Sequence, residues 1–194
     1  MAPGEMQRMS NEQTKLILWT GPKHSGKTSS AARLIEDLRG SGYTAGGFLA
    51  PSIYRERTLV GFEILDLQND QRTELAERSQ EKDRIVGFTF CDQGMDLGRQ
   101  ALQSAVKSPV DLVVVDEFGP LELEGGGWRR DVEMLLRAGS LTVLLVVRSQ
   151  IVPRVRQLYQ ACSPLTIEAG HPRATAQVKA LLDNRPKHSQ KPTP

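Results

Sequence analysis

Apolar runs alternate with amphipathic stretches along most of this chain, and the alternation predicts its layers. "KLILWT" (Lys15–Thr20) reads as a strand. "KTSSAARLIEDLRGSG" reads as a helix, with Ala32, Leu34, Ile35 and Leu38 apolar and Gly40-Ser41-Gly42 ending it. "AGGFLAP" (Ala45–Pro51) is a second strand. "DLVVVDEFG" (Asp111–Gly119) and "LTVLLVV" (Leu141–Val147) are apolar without alternation, the mark of strands buried on both faces. Helices are expected around "MDLGRQALQSAVKS" and over "WRRDVEMLLRAG" and "PRVRQLYQACS". "LTIEAG" is a last strand and "PRATAQVKALLDN" a last helix, with Pro172 in its first turn. Strands alternating with helices predict an α/β fold of three layers around a mostly parallel sheet.

One section breaks the alternation. Ile53–Ala76 carries little helical signal, "LVGFEILDL" (Leu59–Leu67) alternates in steps of two, and "QNDQ" is a turn. An antiparallel ribbon is expected here, running to "RIVGFTF" (Arg84–Phe90). Within it, Arg55, Glu56 and Arg57 read as a solvated hairpin tip, with a lid or a docking edge as the alternative. The expected domain spans residues 15–183, between a flexible arm (1–14) and a disordered basic tail (184–194).

The first strand runs into a glycine-lysine loop. Gly21, Gly26, Lys27 and Thr28 fit G-x-x-x-x-G-K-[ST] at every fixed position. Such a loop wraps a phosphate chain, because glycines let backbone N–H groups turn toward the oxygens and the helix start adds a positive dipole end. Lys27 is placed to reach the β- and γ-phosphates, and the Thr28 hydroxyl to ligate Mg²⁺. Pro22, Lys23, His24 and Ser25 fill the variable positions and, with Ser29, complete the expected cradle. Solvent exposure explains Lys23 and His24 as well as phosphate contact does.

A triphosphate site needs a second hold on its metal. Asp116 stands at the carboxyl end of a buried strand, where ligands of parallel sheets gather, and is assigned to Mg²⁺. Glu117 follows it and suits the base that deprotonates an attacking water. Glutamate beside the metal aspartate resembles the RecA-like division of P-loop proteins, in which the next strand lies between the two nucleotide-binding strands. By that analogy "LTVLLVV" is inserted and Arg148, at its end, lies near the γ-phosphate as a catalytic cation, with a plain structural role as the alternative.

With these residues in hand, the chain resembles the small P-loop nucleoside-triphosphatases of archaea, bacteria and animals, called the cancer-related nucleoside-triphosphatase family in vertebrates. The resemblance spans roughly Lys15–Leu182. It rests on "GPKHSGKTSSAARLIEDL", on the paired "GGF" and "VGFEILDL", on "DLVVVDEFGPLEL" and on the closing strand and helix. It implies Mg²⁺-dependent hydrolysis of ATP, GTP and other triphosphates with loose base selectivity, on a RecA-like core with an added ribbon. By motif position Gly21, Gly26, Lys27, Thr28, Asp116 and Glu117 carry over. Glu122 matches the last glutamate of the family's Asp-Glu-hydrophobic-Gly-x-x-Glu motif, with no role implied. Pro120 stands where many members have lysine, and "EGGGW" is unusually glycine-rich and is expected as a mobile loop.

Composition narrows the partners. The net charge of +2 gives no broad basic field, so no nucleic-acid partner is expected. No apolar run nears the ~20 residues of a membrane span, and "MAPGEMQRMSNEQTK" has no signal-peptide core. Cys91 and Cys162 stand in no metal spacing and suit a reduced, cytoplasmic setting as small buried hydrophobes. Trp19 and Trp128 are expected in the core. "AGHPR" (Ala169–Arg173) is either a base contact or a plain helix entry. Two rivals to hydrolysis remain, a nucleotide or small-molecule kinase and a nucleotide switch or accessory protein, for instance in cofactor assembly, that a protein partner accelerates.

Overall fold

The computed structural model describes residues 14–78, 87–108 and 110–184. β1 (Lys15–Gly21) leads to α1 (Lys27–Arg39) and β2 (Ala45–Leu49). The ribbon follows as β3 (Ser52–Arg55), β4 (Thr58–Asp66), β5 (Arg72–Arg78) and β6 (Phe88–Phe90). Then come α2 (Asp92–Lys107), β7 (Leu112–Phe118), α3 (Pro120–Leu123), α4 (Arg129–Ala138), β8 (Thr142–Arg148), α5 (Val152–Leu158), β9 (Leu165–Glu168) and α6 (Ala174–Asp183).

Among the described residues the strands form one nine-stranded sheet, ordered β6-β5-β4-β2-β7-β8-β1-β9, with β3 pairing β4. β2, β7, β8, β1 and β9 are parallel neighbours, and every ribbon pairing is antiparallel. β8 lies between β7 and β1, as its resemblance to the inserted strand implies. The lack of polar positions in β1, β7 and β8 has a direct cause. Leu16, Leu18, Val113, Val115, Val143 and Leu145 pack on one face with Leu102 and Leu135 of α2 and α4. Ile17, Trp19, Leu112, Val114, Leu144 and Val146 pack on the other with Leu34 of α1 and Val178 of α6. Each such side chain contributes about 1.5–3 kcal/mol through burial.

Several expectations shift. α2 begins at Asp92, where the Met95 N–H donates to the Cys91 carbonyl, earlier than the periodicity shows. The helix expected over Pro153–Ser163 ends at Leu158 and gives way to a 3₁₀ turn over Gln160–Cys162. The last helix starts at Ala174 rather than at Pro172. Both cysteines are half-buried rather than buried, because each lies at a helix or turn end. Arg55, Glu56 and Arg57 are exposed between β3 and β4, as a hairpin tip should be. The expected arm and tail lie outside the described residues except for Thr14 and Asn184, as do residues 84–86 of the ribbon.

The "GGF" of β2 has a packing reason. Gly47 sits at φ 81°, and a Cβ there would stand 2.1 Å from the Val114 carbonyl oxygen of β7. Both the backbone angle and the close approach of two strands require glycine. Gly42 has a similar φ of 84° but open space around it. Gly47→Ala should therefore cost about 2–5 kcal/mol and Gly42→Ala about 1–2 kcal/mol, measured by urea unfolding. Equal losses would show that backbone angle, not contact with β7, sets the requirement.

Candidate active site

The carboxyl ends of β1, β8 and β7 bring the motif residues together. Gly21 pairs Arg148 across β1 and β8, and Asp116 pairs Val146 across β7 and β8. The next pair is Phe118 with Val147, so Glu117 is bulged out of the ladder. A bulge at a strand end re-aims a side chain, and here it re-aims a carboxylate at the sheet edge. The Asp116–Glu117 peptide bond is cis.

The glycine-lysine loop has the geometry of an anion cradle. Pro22, Lys23, His24, Ser25 and Gly26 are exposed, Ser29 is exposed on the first turn of α1, and Thr28 is half-buried. Gly26 precedes α1 at φ 76°, a left-handed angle suited to glycine. No side chain caps this helix start and no acid lies in its first turn, so its positive dipole end faces the loop uncompensated. Lys27 is buried, and its ammonium donates to the Pro22 carbonyl at 3.0 Å. The lysine thus folds over its own loop.

Asp116 joins the loop to the sheet. It is 1% exposed, and its Oδ2 accepts the Ala50 N–H at 3.1 Å. Burial pushes its carboxyl up to about 7. The Ala50 N–H, the Thr28 hydroxyl and the Lys27 ammonium oppose that rise, and the Glu117 charge adds to it. Thr28 and Asp116 therefore meet as a hydroxyl and a carboxylate, the hard oxygen donors that Mg²⁺ takes. Among the described residues no group of three His, Cys, Asp or Glu could hold a metal ion by itself.

Glu117 and Arg148 pair directly, with Nε donating to Oε1 at 2.5 Å and each side chain about a third exposed. Arg148 thus lies at the expected strand end, engaged with the carboxylate read as the base. Such a half-exposed pair is worth only about 1 kcal/mol or less. Trp19 and Trp128 are buried, and Trp128 packs on Phe48 with ring centroids 4.6 Å apart.

One feature escaped the sequence reading. The "EGGGW" stretch is a tight turn over a buried carboxylate: Glu122 accepts the Gly119 N–H at 2.7 Å and the Trp128 N–H at 3.2 Å. An acid three residues after a glycine at a helix start was the available signal. The "AGHPR" turn lies against the loop helix, where the Ser30 hydroxyl donates to the Ala169 carbonyl at 2.8 Å. The His171 ring accepts the Arg173 N–H, so it caps the entry to α6.

Comparisons with known proteins bear on the family and the fold. A family model described as NTPase matches residues 16–168. The chain is 32% identical over 136 residues to nucleoside-triphosphatase THEP1 of Methanothermobacter thermautotrophicus, covering 70% of this chain and 78% of that one. It is 29% identical over 143 residues to THEP1 of Archaeoglobus fulgidus, covering 73% and 84%. Its fold is similar to the solution structure of a human cancer-related nucleoside triphosphatase, with TM-score 0.67, 18% identity, and coverage of 92% and 100%. It is also similar to the crystal structure of THEP1 from Aquifex aeolicus, with TM-score 0.63, 20% identity, and coverage of 86% and 96%.

The burial of Asp116 makes a prediction about stability. Its folded pKa of about 7 lies above the ordinary value of 3.8, so the folded state holds the proton more tightly between those limits. Stability of the ligand-free protein therefore falls as pH rises from about 4 through about 7. Asp116→Asn removes that penalty. It should raise Tm by a few degrees at pH 8, at about 2–4 °C per kcal/mol, gain less at pH 5, and abolish turnover. A Tm that drops equally at both pH values would show that the carboxylate stabilises the ligand-free fold.

Proposed function

The chain belongs to the NTPase family, and we propose that it removes the terminal phosphate of ATP, GTP and other nucleoside triphosphates in a Mg²⁺-dependent reaction. The observation that carries this reading is the meeting of Thr28, Lys27 and buried Asp116 beside the bulged Glu117. The loop amides and the start of α1 bind the phosphate chain. Lys27 leaves the Pro22 carbonyl for the β- and γ-phosphate oxygens. Thr28 and Asp116 would hold the metal, which would supply positive charge against that of the phosphates.

Glu117 takes a proton from water as the water oxygen bonds to the γ-phosphorus. The bond from that phosphorus to the β–γ bridging oxygen breaks, and the nucleoside diphosphate carries the electron pair away. Arg148 holds Glu117 at the sheet edge and turns its remaining guanidinium N–H groups to the γ-phosphate as charge builds. Among the described residues no helix is long and apolar enough to cross a membrane. Free, half-buried cysteines support a reducing, cytoplasmic setting.

A switch that a partner accelerates is the second reading, favoured by one observation: the Arg148–Glu117 pair occupies the base in the ligand-free protein. Phosphate release from ATP, GTP, CTP and UTP, with binding of a non-hydrolysable analogue, separates the readings. Glu117→Gln should keep analogue binding and lose about 10²–10³-fold in kcat. Lys27→Ala should lose affinity and turnover together. Turnover at the parent rate in Glu117→Gln would remove the base assignment. Tight binding with negligible release by the parent would favour the switch, and transfer that needs an added acceptor would favour a kinase.

A further inference from the structure

Glu122 is buried, and the hydrolytic reading does not use it. Its Oε2 accepts the Gly119 N–H at 2.7 Å, and its Oε1 accepts the Trp128 N–H at 3.2 Å. One carboxylate thus closes the loop between β7 and α4. Gly119 directly follows β7, two residues beyond Glu117. Trp128 precedes α4 and packs on Phe48 of β2, the strand that leads to the Ala50 N–H on Asp116. Arg129 adds a longer bond, Nη1 to the Glu122 carbonyl at 3.4 Å.

The loop is shaped around this carboxylate. Gly127 sits at φ 50°, and a Cβ there would stand 2.0 Å from Glu122 Oε1. A Cβ on Gly119 would stand 3.5 Å from Glu122 Oε2 and 3.7 Å from Glu117 Oε1. The two carboxylates therefore flank the same residue. Burial raises the Glu122 carboxyl, the two amides oppose the rise, and the Glu117 charge adds to it.

Capping α3 is too small a task for a buried acid. The helix has four residues, and burying a carboxylate is costly before its bonds return any of that cost. The bulge supplies a better reason. Glu117 has no partner in the ladder between β7 and β8. Its main chain is held by Asp116 on one side and by Phe118 and Gly119 on the other. The Gly119 bond to Glu122 is the first fixed point after the sheet ends.

We propose that Glu122 is a positioning residue for hydrolysis: by tying Gly119 to Trp128 it holds the Glu117 carboxylate where the attacking water sits. This rests on the reading of Glu117 as the base. Misplacing a base by about 1 Å can cost up to about 10²-fold in rate.

The test uses the full chain with ATP and Mg²⁺ and measures kcat, KM, analogue affinity and Tm. Glu122→Gln keeps the shape but can accept only one of the two N–H groups. Gly127→Ala pushes the same carboxylate from the other side. Gly125→Ala strains the same loop at φ 91°, with nothing within 4 Å of the new Cβ. Glu122→Gln and Gly127→Ala should lose at least about tenfold in kcat, with analogue affinity within about twofold. Gly125→Ala should lower Tm and keep kcat within about twofold. Parent kcat in Glu122→Gln, with Glu117→Gln inactive, overturns this proposal alone. Equal kcat loss in Gly125→Ala and Gly127→Ala at matched Tm also overturns it, because the loop would then be merely structural. If Glu122→Gln does not fold, that pair decides. Parent-rate turnover in Glu117→Gln takes down the base assignment and this proposal with it.

Discussion

Asp116 keeps its carboxylate out of water with help from three groups on two segments: the N–H of Ala50 after β2, and the Thr28 hydroxyl and Lys27 ammonium at the start of α1. The inserted β8 sets the spacing, since two strand intervals put the ends of β1 and β7 about 10 Å apart. The burial that raises the Asp116 carboxyl is a cost in the ligand-free protein. In the proposed mechanism a divalent cation bound there would offset that cost.

The sequence made the central strands and the loop legible because their signals are local. Apolar runs such as "LVVV" and "LTVLLVV" carry their own burial, and the glycine-lysine loop carries its own backbone requirement. The topology came from a resemblance rather than from periodicity. What stayed hidden depends on contacts between distant segments. Gly47 is glycine because β7 comes within 2.1 Å of where its Cβ would be. Glu122 was visible as an acid, but its partners are amides whose positions depend on a loop bent by glycines. Those glycines suggest mobility on composition alone. In the fold they make room for a carboxylate, so the same residues support opposite readings until the contact is known. The half-buried cysteines follow the same logic, since exposure at an element's end is not written in residue type.

Both cations of the site rest on nearby oxygens in the ligand-free protein. Lys27 bonds to the Pro22 carbonyl, and Arg148 bonds to Glu117. The Arg148 pair is partly exposed and costs little to break. A triphosphate offers stronger acceptors to both. In the proposed mechanism the two rearrangements differ in consequence. Moving Lys27 completes binding, whereas moving Arg148 changes what surrounds the base. In that mechanism the phosphate nearest Arg148 is the one to be removed. A diphosphate leaves that position empty and leaves Arg148 on Glu117. The pair then makes the base least available when no γ-phosphate is present, which suits an enzyme whose product still fills most of its binding loop.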